Sequence, residues 1–163
     1  MRRFPNELTR AAPSGKADIG VLVVWQRLNA NTRWAGDLMQ TPERTVRAAT
    51  AETREAALEG TLDVQTAASR ARSALSALPG FGVGDALASA VIYAVAPSRM
   101  AVYDRRAQAG LERLGLTLSP KPGRYGRYMG LVERLITDSN KFGNELTARE
   151  VNLALVALGG PRP

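Results

Sequence analysis

The sequence contains no cysteine and no histidine. The absence of cysteine excludes disulfide bonds, thiol catalysis, zinc-thiolate sites and iron-sulfur clusters. Histidine is the side chain that most readily transfers protons near neutral pH, so proton chemistry in this chain must use carboxylates, lysine, tyrosine or water. These absences narrow the enzyme classes, and we expect neither a cofactor nor a metal ion held by protein side chains.

Long hydrophobic runs are also missing. No apolar segment of about seven or more residues follows Arg2 and Arg3, and nowhere do roughly eighteen apolar residues stand together. With 163 residues, 45% of them apolar, the chain is about one domain long and can bury its own core. We therefore expect a cytoplasmic protein without membrane association, with residues 1–16 as an N-terminal extension and residues 17–160 as one domain.

Lysine is scarce, whereas arginine is abundant: arginine outnumbers lysine nineteen to three, and the net charge is +7. Guanidinium groups pair with phosphate through two parallel hydrogen bonds, although a GC-rich genome would produce the same bias. The distribution of charge is more informative. Residues 64–128 carry nine basic and three acidic side chains, a net +6. A locally basic stretch of this kind is typical of phosphate binding.

Glycine, proline and capping residues divide the chain into segments with helical periodicity, and no segment has a convincing strand pattern. We expect Thr41 to cap the second helix, Asp63 to cap the fourth, and Thr147 with Glu150 to form a capping box. The first helix is almost continuously apolar at its centre, which predicts that it is buried. The predicted helices cover 18–28, 42–49, 50–58, 64–78, 85–95, 103–115, 125–136 and 147–159. The predicted fold is all-α, a compact multi-helix domain.

The turn LPGFGVG, residues 78–84, is the most informative feature. Its glycines Gly80, Gly82 and Gly84 allow positive φ and leave the backbone amides unshielded. A helix begins directly afterwards, so its N-terminal amides are directed at the same place, and phosphate is the natural ligand there. Phosphate contacts of this kind fix the register on DNA without reading its sequence. A purely structural turn is the alternative, but the apolar Phe81 and the small residues of the next helix favour a helix-hairpin-helix that binds DNA.

Residues 78–107, LPGFGVGDALASAVIYAVAPSRMAVYDRRA, resemble the core of the helix-hairpin-helix base-excision DNA glycosylases. The family pattern is a Leu-Pro-Gly-apolar-Gly turn, a helix of small residues and, about twenty residues later, an aspartate. The stretch TAREVNLALVALGG, residues 147–160, is similar to the family's closing helix. The likeness is greatest to short, divergent bacterial members with an aspartate-x-arginine sequence, here Asp104-Arg105-Arg106.

The resemblance implies that Asp104 is catalytic. Breaking an N-glycosidic bond develops positive charge on the deoxyribose, which a nearby carboxylate stabilises while orienting the attacking water. Bifunctional members carry a Schiff-base lysine where this chain has Gly84, so we expect no lyase reaction. The turn carbonyls are a candidate site for a monovalent cation. Expected phosphate contacts are Gly80, Gly82, Gly84, Arg99, Arg105 and Arg106. The target base must enter a pocket with aromatic or apolar walls, for which the candidates are Trp25, Gln26, Trp34 and Tyr103.

Other interpretations of these residues stay open. Asp104 stands where a helix should begin, so capping alone explains an aspartate there. The tryptophans are compatible with core positions, and the arginines with solvated surface charge. Three functions follow: a monofunctional DNA N-glycosylase, a non-catalytic helix-hairpin-helix DNA-binding module, or a helical domain whose basic face binds an acidic protein. The expected partner is double-stranded DNA, and the expected location is the bacterial cytoplasm, on the nucleoid when DNA is bound.

Overall fold

The computed structural model describes residues 13–25 and 33–160. In these ranges the chain forms eight α-helices and no strand, as the sequence predicted for the fold class. None of the helices in these ranges has the length and hydrophobicity needed to cross a membrane. The helices are α1 (Lys16–Trp25), α2 (Arg33–Gln40), α3 (Glu43–Leu58), α4 (Val64–Leu75), α5 (Ala86–Val95), α6 (Arg105–Arg113), α7 (Arg124–Asn140) and α8 (Ala148–Gly159).

Helix α5 is the centre of the domain. All residues after the first one of this helix, 87–95, are buried, because the side chains are small or apolar on all faces. Helices α1, α3 and α4 pack against it, while α7 packs on α4 and α8 on both α6 and α7. The turn that precedes α5 is thereby held on the surface of a fully packed core.

Two of the predicted caps are confirmed. Asp63 accepts a hydrogen bond from the Thr66 amide at 2.9 Å, and Thr147 and Glu150 form the reciprocal capping box at the start of α8. The cap predicted at Thr41 is wrong, because the Thr41 hydroxyl donates to the carbonyl of Asp37 instead. The N-cap position of α3 is Pro42, whose side chain makes no capping bond.

The predicted break between residues 49 and 50 is also wrong, since α3 runs without interruption from Glu43 to Leu58. Two threonines, Thr50 and Thr53, are buried within this helix, and their hydroxyls find carbonyl acceptors. Thr50 donates to the carbonyl of Ser14 at 2.7 Å, and Thr53 donates to that of Ala49 at 2.7 Å. A helix tolerates threonine when its hydroxyl is satisfied in this way.

Helix α1 is buried on one side only, which corrects the prediction of a buried first helix. Ile19, Leu22 and Val23 face the core, whereas Val21 and Val24 are exposed. Residues 26–28, the end of the predicted helix, lie outside the described residues. Helix α4 ends at Leu75 rather than at the predicted residue 78, because the amides of Ser76 and Leu78 bond to carbonyls only three residues earlier, as in a turn.

Helices α6 and α8 form the most extensive helix pair of the structure, and they approach each other through glycine. A Cβ atom on Gly110 would lie within 2.8 Å of the Leu155 carbonyl carbon. A Cβ atom on Gly159 would lie within 2.7 Å of the Gly110 amide nitrogen. These neighbours are backbone atoms, which cannot move aside as a flexible side chain would.

We expect Gly110→Ala to lower the free energy of unfolding by about 1–3 kcal/mol, because the two helix backbones must separate to admit the methyl group. The measurement is chemical denaturation followed by circular dichroism. Gly20→Ala is the matched control, since Gly20 is also helical but has no atom within 4 Å of an added Cβ. That variant should be neutral or more stable by up to about 1 kcal/mol. Equal effects of the two substitutions would contradict the close α6–α8 contact.

Candidate functional site

A cleft of about 430 Å³ opens between the turn before α5 and the start of α6. It brings together six of the residues that the sequence singled out: Trp34, Gly80, Gly84, Tyr103, Asp104 and Arg105. Its remaining walls are formed by Val83, Asp85, Ala86, Leu87, Gln108 and Arg124. Gly80 and Asp104, which are 24 positions apart in the sequence, therefore line the same concave surface.

The turn itself, residues 78–84, is called the glycine turn below. Gly80 and Gly84 have φ values of 88° and 75°, a conformation that glycine adopts without strain. Gly82 does not have a positive φ, which corrects the expectation for the middle glycine, and an added Cβ there would meet no atom within 4 Å. Phe81 is only 1% exposed, and its amide donates to the Leu78 carbonyl at 3.1 Å. The Phe81 side chain thus anchors the turn in the core, whereas Gly82 is exposed.

The indole of Trp34 packs directly against Gly80. A Cβ atom at that position would lie 2.6 Å from the Trp34 Cδ2 atom, so glycine is required here for space as well as for φ. Trp34 belongs to α2, a helix that the sequence analysis did not predict. This helix therefore contributes an aromatic wall to the cleft beside the glycine turn.

A charged cluster supports the glycine turn from behind. Asp85 accepts hydrogen bonds from the Nε of Arg72 at 2.9 Å and from the Nε of Arg124 at 2.8 Å, one on each carboxylate oxygen. The Asp85 side chain is only 12% exposed. The hydrogen bond to Asp85 raises the pKa of Arg124. The three side chains come from α4, the start of α5 and α7, so they join the three elements at the turn.

Asp85 occupies the N-cap position of α5, yet its side chain makes no capping hydrogen bond. Both of its oxygens face arginines instead, so the carboxylate leaves the first amides of α5 uncapped. Amides at this position have no partner within the helix and, together with the helix dipole, attract anions. The start of α5 is therefore suited to a phosphate group.

The carbonyl of Gly84 accepts a hydrogen bond from Nη2 of Arg72 at 2.9 Å. The Leu78 carbonyl is bonded to the Phe81 amide. A guanidinium thus already provides positive charge at the Gly84 carbonyl and would repel a second cation there. Two of the seven carbonyls of the turn are therefore engaged, and the monovalent cation that the resemblance implied stays a prediction for the others.

Asp104 caps helix α6. Its Oδ1 accepts a hydrogen bond from the Ala107 amide at 2.8 Å, and its backbone is extended. The capping interpretation of this residue is therefore confirmed. The second oxygen, Oδ2, accepts no hydrogen bond from the residues that the structure describes, and Asp104 forms no ion pair with them. One carboxylate oxygen thus remains for a ligand in the cleft.

The extended segment that leads to the Asp104 cap, residues 101–103, is held by buried side chains from three helices. Tyr125 donates its hydroxyl to the carbonyl of residue 101 at 2.9 Å, and Tyr128 donates to that of residue 102 at 3.1 Å. Asn152 also donates to the carbonyl of residue 102, at 2.6 Å. Ser89 accepts from the amide of residue 103 at 2.9 Å. Burial raises the pKa of both phenols, so they stay protonated donors.

Tyr103 forms a second aromatic wall of the cleft. Its hydroxyl donates to Oε1 of Gln108 at 2.6 Å, and Nε2 of Gln108 donates to Glu112 at 2.9 Å. The Arg124 guanidinium carbon lies 5.1 Å from the centre of the Tyr103 ring. Burial raises the pKa of the Tyr103 phenol, and the charge of Arg124 opposes that rise. The phenol is consequently neutral near pH 7 and is fixed in orientation by its acceptor.

Sequence reasoning missed Asp85, Gln108 and Arg124. Gln108 stands four residues after Asp104, a spacing that puts two residues on the same face of a helix, so this residue could have been found. The other two could not, because Arg124 lies 39 residues from Asp85 in the sequence. No local pattern signals an ion pair over that distance.

Several predicted site residues lie elsewhere. The Arg99 guanidinium donates to backbone carbonyls at and after the end of α3, those of Ala57, Glu59 and Leu62. It stabilises that helix end and does not line the cleft. Trp25 and Arg106 are exposed and are not among the lining residues, and Gln26 lies outside the described residues. Gly82 lines a neighbouring groove on the other side of the glycine turn.

Comparisons with known proteins find no matching family model, no similar curated protein and no similar solved structure. The function must therefore be inferred from the geometry of the site itself.

We expect Asp85→Ala to lower the free energy of unfolding by about 2–4 kcal/mol, because it leaves two partly buried guanidinium groups without their carboxylate. Thermal and denaturant unfolding measure the effect. Asp138→Ala is the control: Asp138 pairs with Lys141 at 2.7 Å, but both side chains are more than half exposed. Its loss should cost less than about 1 kcal/mol. A small effect at both positions would show that the buried cluster contributes little to folding.

Proposed function

We propose that the protein binds double-stranded DNA through the glycine turn and hydrolyses the N-glycosidic bond of a damaged or modified base, with Asp104 as the catalytic carboxylate. The observation that carries this proposal is the composition of the cleft. It combines a carboxylate, one oxygen of which accepts no hydrogen bond from the described part of the chain, with two aromatic walls and the glycine turn. Each of them can serve one part of base excision: charge stabilisation, binding of the base and positioning of the DNA.

The carboxylate meets the chief demand of the reaction. As the bond from the base to deoxyribose breaks, positive charge develops on the sugar, and a carboxylate held nearby stabilises it. Asp104 is held because its Oδ1 is bonded to the α6 backbone and the preceding segment is fixed by buried donors. Preorganisation of this kind lowers the cost of charge stabilisation in the transition state.

The cleft also suits an extruded base. Its volume of about 430 Å³ lies within the range of small-molecule sites. Trp34 is only partly buried and offers aromatic surface, which supports stacking of a base that has left the duplex, whereas Tyr103 is 5% exposed. Among the residues that the structure describes, no lysine lines the cleft, so the proposed reaction is hydrolytic and forms no Schiff base.

The second candidate function is a DNA-binding module without catalysis. The hydrogen bond from the Ala107 amide to Asp104 favours it, because this cap explains the aspartate without any chemistry. The two functions share the glycine turn and differ only in the role of the Asp104 carboxylate. A substitution that keeps the cap and removes the charge separates them.

Asp104→Asn is that substitution, since an asparagine side chain also accepts a hydrogen bond from an N-terminal helix amide. The assay incubates the protein with duplexes that each carry one damaged or modified base and detects the free base by mass spectrometry. We expect the wild type to release at least one of these bases. The variant should be slower by about a hundredfold or more, with DNA affinity and melting temperature nearly unchanged.

Asp63→Asn is the matched control, because Asp63 caps α4 in the same manner but lies outside the cleft. Its activity should equal that of the wild type. Full activity of Asp104→Asn would refute the catalytic role. Absence of base release from every duplex, with DNA affinity intact, would favour the binding module.

Gly82→Asp tests the glycine turn as the phosphate contact. The position has open space and no positive φ, so the side chain is accommodated without strain and places a negative charge where phosphate is expected. We expect the affinity for duplexes of any sequence to fall about tenfold or more, measured by fluorescence anisotropy. Gly60→Asp, at an equally open glycine in the α3–α4 connection, should have little effect. Unchanged affinity of the Gly82 variant would argue against the turn as the contact.

A further inference from the structure

A second groove, of about 470 Å³, lies on the other side of the glycine turn. Its far wall is the connection between α6 and α7, residues 119–123, with the sequence Ser-Pro-Lys-Pro-Gly; it is called the proline loop below. The near wall includes residues 82–84 of the glycine turn and Asp85, the N-cap residue of α5. The turn therefore separates two concave surfaces, of which only the first contains Asp104.

The proline loop is held in one conformation by Arg127. The guanidinium Nη1 donates to the Pro122 carbonyl at 2.8 Å, and Nη2 donates to the carbonyls of Ser119 and Lys121 at 3.0 and 2.5 Å. The Nε of Arg127 is buried and has no hydrogen-bond partner among the described residues. Arg127 is thus partly removed from water while it binds three carbonyls of a surface loop. The three hydrogen bonds fix the loop, and the burial of the Nε costs free energy.

This arrangement also decides which groups the loop can offer to a ligand. Three of its carbonyl oxygens are engaged by Arg127, and the prolines at 120 and 122 restrict φ. Lys121 is exposed, and its ammonium forms no hydrogen bond or ion pair with the described residues. The loop therefore presents a free cation from a rigid backbone.

The groove is positively charged. Arg72, Lys121 and Arg124 line it, and Asp85 is its one acidic side chain, so the formal charge is +2. Arg72 and Arg124 share the charge of Asp85, which leaves Lys121 as the strongest free attraction for an anion. The groove is continuous with the glycine turn, because Val83, Gly84 and Asp85 line both concave surfaces.

We propose that this groove is a second contact for the DNA backbone, in which Lys121 binds a phosphate beyond the one held at the glycine turn. The inference rests on the proposed DNA binding and extends it to a surface without Asp104. Continuity with the turn favours the backbone of the same duplex over a separate acidic protein. A rigid loop lowers the entropy that is lost when the lysine binds phosphate, which gives the three hydrogen bonds of Arg127 a function.

Lys121→Gln removes the free cation without disturbing the loop carbonyls. We expect duplex affinity to fall about three- to tenfold, and the slope of log affinity against log salt to decrease by about one, as for the loss of one phosphate contact. Binding of a labelled duplex is measured by fluorescence anisotropy at several salt concentrations. Lys141→Gln is the matched control, because Lys141 follows the opposite end of α7, about 25 Å away for a helix of 17 residues. It should leave both quantities unchanged.

Arg127→Lys tests the rigidity of the loop at constant net charge. A lysine cannot bridge three carbonyls as the planar guanidinium does, so the loop loses its support. We expect a loss of affinity comparable to that of Lys121→Gln, and little further loss when the two substitutions are combined. Circular dichroism confirms that each variant is folded before binding is compared.

The outcomes distinguish this inference from the function on which it rests. If Gly82→Asp weakens binding but Lys121→Gln and Arg127→Lys do not, the second contact is refuted and DNA binding at the turn stands. If none of the three weakens binding, DNA binding at this face is itself refuted. If Lys121→Gln weakens binding of poly-glutamate but not of the duplex, the groove binds an acidic protein and the proposal is overturned.

Discussion

The carboxylate of Asp85, bonded to one arginine on each oxygen, is the interaction on which the functional face depends. Arg72 ties it to α4 and also holds the Gly84 carbonyl, while Arg124 ties it to α7 and lies over the Tyr103 ring. One charged group thereby positions both the glycine turn and the Tyr103 wall of the cleft. Partly buried charges of this kind are costly unless paired, so the cluster favours one arrangement of the three helices over looser alternatives.

The position of Asp104 depends on a different set of interactions, which are neutral and almost fully buried. Tyrosine hydroxyls and an asparagine amide satisfy the carbonyls of residues 101 and 102, which would otherwise be unpaired in the core. Because these donors come from α7 and α8, a shift of either helix would move the start of α6. The close glycine contact of α6 with α8 adds a second constraint on the same helix. Asp104 is therefore fixed both by the segment that precedes it and by the helix that follows it.

The predictions made from the sequence are most accurate for features that depend on residues close together in the chain. The caps at Asp63, Thr147 and Asp104 and the course of α5 follow from residues within one or two helical turns. Helix α2 was missed because its apolar contacts are few: Leu38 lies in the core, and Trp34 packs on Gly80, 46 residues away. The prediction for Arg99 did not foresee that its guanidinium binds carbonyls 37 to 42 residues earlier. Both depend on tertiary contacts, which periodicity and composition do not encode.

The proposed reaction sets two electrostatic demands that oppose each other. Phosphate binding requires positive charge near the glycine turn, whereas the sugar, as it becomes cationic, requires a carboxylate without a competing partner. An arginine that paired with Asp104 would weaken that carboxylate. Arg124 lines the same cleft, but its nearest carboxylate is that of Asp85, at 2.8 Å, and Asp104 has no ion pair within the described ranges. By engaging Arg124, Asp85 keeps the charge of that guanidinium from neutralising Asp104.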